Sequence, residues 1–123
     1  MSARILLVED NEQNRYLATF LLEKGGHTVI HAPNGRSALE VVAAEKPDLI
    51  LMDIHMPEMD GYEAARRILA AHGGNRVPIV AITSYAMAGD RERAMAQGFA
   101  GYIEKPIETE TFLAQIGKFL TPP

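Results

Sequence analysis

Short apolar runs alternate five times along this chain with longer stretches of mixed polarity. Ile5-Leu6-Leu7-Val8 is continuously apolar and is followed at once by Glu9-Asp10. An unbroken run of this length predicts a strand buried on both faces. Behind it a helical repeat places Leu17, Phe20 and Leu21 on one inward face and stops at Gly25-Gly26. Thr28-Val29-Ile30 predicts a second strand. The helix after Asn34-Gly35 turns Ala38, Leu39 and Val42 inward and is ended by Pro47. Leu49 to Met52 is the third strand. Asp60-Gly61-Tyr62-Glu63 predicts an N-cap with Glu at the third helical position, and its helix carries Ala65, Ile68 and Leu69 as far as Gly73-Gly74. Ile79 to Ile82, behind Pro78, is the fourth strand, and a weaker helix from about Asp90 to Gln97 ends at Gly98. A short fifth strand, about Gly101 to Glu104, precedes a helix with Phe112, Leu113, Ile116, Phe119 and Leu120 in one buried stripe.

Strictly alternating strands and helices with short connections predict a parallel sheet covered by helices on both faces. The 123 residues are expected to form one domain, 1–123, and Pro122-Pro123 is expected to leave no room for an output domain. In sheets of this kind, ligands bind beyond the carboxyl ends of the strands, near a switch in strand order.

Composition narrows the function classes. Apolar residues make up 47% and charged residues 23%, ordinary values for a globular protein. A net charge of −4 supplies no excess of cations for nucleic acid. Without cysteine there is no disulfide or thiolate chemistry, which fits a reducing compartment. Leu49-Ile50-Leu51-Met52, among the longest apolar runs, is far too short to cross a bilayer, and the first residues lack a signal-peptide pattern. The expected location is the cytoplasm.

The strand ends carry the candidate chemistry. Strand one ends in Glu9-Asp10, strand three in Asp53, strand four in Thr83-Ser84 and strand five in Glu104-Lys105-Pro106. Taken singly, each residue is ordinary: an acidic pair suits a helix N-terminus, a lysine is usually solvated, and a threonine often bonds its own backbone. At one sheet edge, Glu9, Asp10 and Asp53 repel one another unless a divalent cation offsets them, and hard oxygens on rigid strand ends suit Mg²⁺. Asp53 beside such an ion can act as a nucleophile toward a phosphoryl group, with Lys105 and Thr83 stabilising the transferring oxygens.

The segments Val8-Glu9-Asp10-Asn11, Asp48 through Gly61 with its Met-Asp-x-x-Met-Pro-x-Met-Asp-Gly stretch, Ile82-Thr83-Ser84 and Lys105-Pro106 resemble the two-component response-regulator receiver family over essentially the whole chain. The resemblance implies an α/β, flavodoxin-like receiver fold: a doubly wound five-stranded parallel sheet of order 2-1-3-4-5 with five helices. It implies Asp53 as phosphoacceptor, Mg²⁺ held by Asp10 and Asp53, by Glu9 mainly through water and by the backbone carbonyl of His55, and phosphoryl contacts from Thr83 and Lys105. The Lys105-Pro106 peptide is implied to be cis. Thr83 and Tyr102 are the implied switch pair, read on the face of the fourth helix, fifth strand and fifth helix.

Tyr85 through Arg93 resembles single-domain cell-division regulators of the DivK type and receivers of hybrid histidine kinases. The implied donor is a histidine kinase or histidine phosphotransfer protein, with Gln13, Asn14, Leu17 and Pro106 as contacts. The reader is a further protein, and the chain is a monomer or a weak phosphorylation-dependent dimer. Self-catalysed phosphotransfer and autodephosphorylation are expected rather than enzymatic turnover. An aspartyl phosphatase would need a general-acid Asp two residues after its nucleophile, where this chain has His55. A receiver-like interaction module without phosphate chemistry would not need all five of Glu9, Asp10, Asp53, Thr83 and Lys105. A flavin binder would need a phosphate cradle where Glu9-Asp10 stands.

Overall fold

The central apolar runs form strands because both of their faces are covered. The computed structural model describes residues 2–54, 61–71, 77–83, 89–105 and 107–120. Its elements are β1 (Arg4–Val8), α1 (Glu12–Lys24), β2 (Thr28–Ala32), α2 (Gly35–Glu45), β3 (Leu49–Asp53), α3 (Gly61–Ala71), β4 (Ile79–Thr83), α4 (Asp90–Ala96), β5 (Gly101–Glu104) and α5 (Phe112–Leu120). The five strands are parallel and stand in the order β2-β1-β3-β4-β5. The sheet order therefore matches the expected one.

Successive strand residues feed opposite cores, as a pleat requires. Leu6 and Val8, Ile50 and Met52, Ile79 and Ala81, and Tyr102 pack with Ala38, Val42, Ala65, Ile68 and Ala94 of α2, α3 and α4. Ile5 and Leu7, Leu49 and Leu51, Val80 and Ile82, and Ile103 pack with Ala18, Leu21, Leu22, Phe112 and Ile116 of α1 and α5. Each fully buried aliphatic side chain contributes about 1.5–3 kcal/mol, so the central strands anchor the fold. The chain leaves β1 toward β2 on one side and returns to β3 on the other, which opens a crevice beyond the ends of β1 and β3.

Asparagines begin two helices. The Asn11 side chain accepts the Asn14 N–H at 2.9 Å, and Asn34 accepts that of Ser37 at 2.8 Å. Helix α2 stops at Glu45, where Lys46 takes a left-handed φ of 49° ahead of buried Pro47. The proposed Asp60 cap and the Gly73-Gly74 stop lie outside the described residues.

One inward face differs from expectation. Phe20 is 53% exposed, and α1 instead buries Ala18, Leu21 and Leu22. Apolar side chains spread over a wide arc of α1, so its periodicity allows two overlapping stripes. Leu17 is only half-buried, although it packs against the same core.

Two measurements test these packing arguments. Gly117 lies inside α5, and a Cβ there would meet nothing within 4 Å. Gly117→Ala should raise stability to urea by about 0.5–1 kcal/mol; lowered stability would show that the glycine is required. His27 accepts the Ala3 N–H through Nδ1 at 3.1 Å, and burial holds its pKa below 6.5. The folded state therefore favours neutral imidazole. This contribution is present above pH 6.5 and is lost as pH falls through the lower folded value. The stability gap between wild type and His27→Gln should narrow on acidification from pH 7; parallel pH profiles would refute it.

Candidate functional site

Backbone pairing continues one residue past the strands and fixes the site. Glu9 donates its N–H to Ala32 O at 3.2 Å, Ile54 to Ile82 O at 3.3 Å and Lys105 to Thr83 O at 2.7 Å. Asp53, the last residue of β3, stands in register with Ile82, and Thr83 with Glu104. The turn after β1, and the ends of β3, β4 and β5, thereby present their polar residues at one edge.

Glu9, Asp10 and Asp53 come together there, each offering an oxygen within 4.8 Å of the others. Lys105 Nζ donates to Glu9 Oε1 at 2.5 Å and to Asp53 Oδ2 at 3.4 Å. Glu9 and Asp53 are buried at 2% and 7% exposure, whereas Asp10 opens to solvent. Burial pushes the Glu9 carboxyl above its ordinary range; Lys105 opposes this and Asp53 adds to it. Among the described residues, the three carboxylates meet the one ammonium of Lys105, which pairs with Glu9 and Asp53, so these groups together carry excess negative charge. A hard divalent cation with access through Asp10 fits that excess, and the all-oxygen donor set suits Mg²⁺ better than a softer metal.

Thr83 is fully buried at the end of β4. Tyr102 turns into the core shared with α2, α3 and α4 at 7% exposure. Its hydroxyl is buried without a hydrogen-bond partner among the described residues. Burial raises the phenol pKa, and Asp90 and Glu104 raise it further. The Arg91 guanidinium lies 5.4 Å from the ring centroid. On α1, Gln13 is exposed, Asn14 is half-buried and donates to the Asn11 cap, and Leu17 engages the core. His55, Ser84, Tyr85 and Pro106, and with Pro106 the expected cis bond, lie outside the described residues.

Two local features had no clear sequence signal. Arg15 reaches back from α1, where its Nη1 donates to the Glu9 carbonyl at 3.2 Å. Gly61, which opens α3, does not have a positive φ. It serves a close approach: a Cβ would stand 2.6 Å from Ile54 Cα and 2.7 Å from Asp53 O, while the Gly61 N–H bonds Ile54 O at 3.2 Å. Any side chain there would push α3 off the strand end that carries Asp53. Gly61→Ala should cost about 1–3 kcal/mol in urea unfolding and shrink the rise in Tm produced by Mg²⁺. Wild-type values for both would refute the close-approach argument.

Comparisons with known proteins agree with this geometry. Residues 5–117 match the family described as response regulator receiver domain. The polar-differentiation response regulator DivK of Brucella anthropi is 38% identical over 120 residues, covering 98% of each chain. Among solved structures, the Vibrio cholerae chemotaxis protein CheY4 superposes with a TM-score of 0.90 at 28% identity, covering 98% of this chain and 100% of that one. The receiver domain of the sensor histidine kinase PA1611 from Pseudomonas aeruginosa, with a magnesium ion coordinated in its active-site cleft, gives a TM-score of 0.87 at 35% identity, covering 98% of each. With its sheet order, its acidic crevice and this family match, the chain belongs to the receiver domains of two-component response regulators.

Proposed function

We propose that this protein is a phosphorelay switch that accepts a phosphoryl group on Asp53 from a histidine kinase or histidine phosphotransfer protein. The observation that carries the reading is the position of Lys105 Nζ, 3.4 Å from Asp53 Oδ2 and bonded to Glu9 in the same crevice. An Asp53 oxygen attacks phosphorus, the phosphorus–nitrogen bond of phosphohistidine breaks, and its electron pair returns to the imidazole. Attack by water then releases inorganic phosphate and restores the carboxylate. Lys105 sits where it can offset charge on the transferring oxygens, and Thr83 ends the neighbouring strand, where its hydroxyl can donate to one of them. Asp10, Asp53 and the His55 carbonyl would hold Mg²⁺, with Glu9 acting mainly through water. Bound there, the ion supplies the charge neutralisation that the carboxylates lack.

The phosphorylated state favours one arrangement of Thr83 and Tyr102, and a protein partner reads the resulting face of α4, β5 and α5. Gln13, Asn14, Leu17 and Pro106 are the proposed donor contacts. The reactions are self-catalysed events on one side chain, not turnover of a substrate pool. No helix among the described residues is long and apolar enough to cross a membrane, and we place the protein in the cytoplasm beside its donor, as a monomer or a weak phosphorylation-dependent dimer.

Acetyl phosphate with Mg²⁺ should add one phosphoryl group to the intact protein. Asp53→Asn or a chelator should abolish the addition, and Lys105→Ala should slow it roughly 10²-fold. An unchanged mass under conditions that label another receiver would overturn the reading in favour of an interaction module.

A further inference from the structure

Glu9 is held through every polar atom it has. Its N–H donates to Ala32 O at 3.2 Å, Oε1 accepts from Lys105 Nζ at 2.5 Å, and Oε2 accepts from the Asn11 N–H at 3.2 Å. The remaining atom, the backbone carbonyl, takes the Arg15 guanidinium at 3.2 Å. That carbonyl belongs to the peptide plane joining Glu9 to Asp10. Because the plane is rigid, fixing its oxygen also fixes the direction in which Asp10 leaves the turn. Arg15 is well placed for the task. Its own N–H makes a first-turn helical bond to Asn11 O at 2.9 Å, so the side chain reaches back six residues from a rigid base.

We infer that Arg15 is a positioning residue for the Mg²⁺ site, acting through the Glu9 carbonyl to set the Asp10 carboxylate against Glu9 and Asp53. The inference rests on the phosphorelay reading given above. Its sign separates it from a simple charge effect. A guanidinium near a cation site repels the cation, so removing it would tighten Mg²⁺ binding if charge alone mattered. Removing a group that orients the ligands weakens binding instead, typically by tenfold or more.

The test titrates Mg²⁺ into wild type, Arg15→Ala and Arg15→Gln by calorimetry or amide chemical shifts, with circular dichroism to verify folding. Ala should weaken Mg²⁺ binding by about tenfold. Gln, which is neutral and whose amide ends well short of the position of the Arg15 Nη1 donor, should show a similar loss. In acetyl phosphate labelling, the Mg²⁺ concentration giving half-maximal rate should rise with the dissociation constant, while the rate at saturating Mg²⁺ stays within about twofold of wild type. If Ala and Gln both bind Mg²⁺ as tightly as wild type or tighter, Arg15 is not a positioning residue. Wild-type protein that fails to bind Mg²⁺ would overturn the phosphorelay reading itself.

Discussion

The ammonium of Lys105 reaches Glu9 and Asp53 from the far end of the β1-β3-β4-β5 portion of the sheet, so a single cation ties together groups carried by β1, β3 and β5. Burying carboxylates is costly unless they are paired, and both of these are almost sealed from solvent. Lys105 therefore stabilises the crevice without neutralising it. The raised Glu9 pKa records what is left over: burial outweighs the help Lys105 gives, and Asp53 adds to the strain. A fold that gathers three carboxylates at one edge offers an oxygen donor set that suits a hard cation.

Most of the architecture was legible because the central strands are buried on both faces. A strand such as Leu49–Asp53 has no solvated side, so its sequence is an unbroken apolar run ending at the buried carboxylate of Asp53. The same reasoning located Glu9, Thr83 and Lys105, since strand ends in a parallel sheet must share an edge. Helix α1 was less legible. Its apolar residues spread over a wide arc, and the choice between a stripe through Phe20 and one through Ala18 and Leu22 depends on how closely the helix approaches the sheet. Ala18 is small enough to permit a close approach, and Phe20 is left outside.

Within the site, the illegible parts are contacts between backbone and residues remote in sequence. A glycine that opens a helix can serve a turn or a close approach, and only the position of β3 against α3 assigns Gly61 to the second. Arg15 in a helix pattern reads as one more solvated charge. Its bond to the Glu9 carbonyl depends on the angle at which α1 leaves β1, which no residue spacing encodes.

Helix α4 is held by a small number of contacts among the described residues. It has seven residues, too few to be stable alone, and buries only Ala94. Arg93 lies 4.1 Å from the centroid of the Tyr62 ring, which itself meets Phe99 edge-on at 5.7 Å, and Arg91 lies over Tyr102. Among the described residues, α4 thus meets two aromatic rings, Tyr62 and Tyr102. One of those rings, Tyr102, sits on the strand next to Thr83, and its buried hydroxyl has no hydrogen-bond partner among the described residues. A helix that buries one small side chain and leans on two rings is tied to the strand that carries Tyr102, so a displacement of that ring would carry to α4.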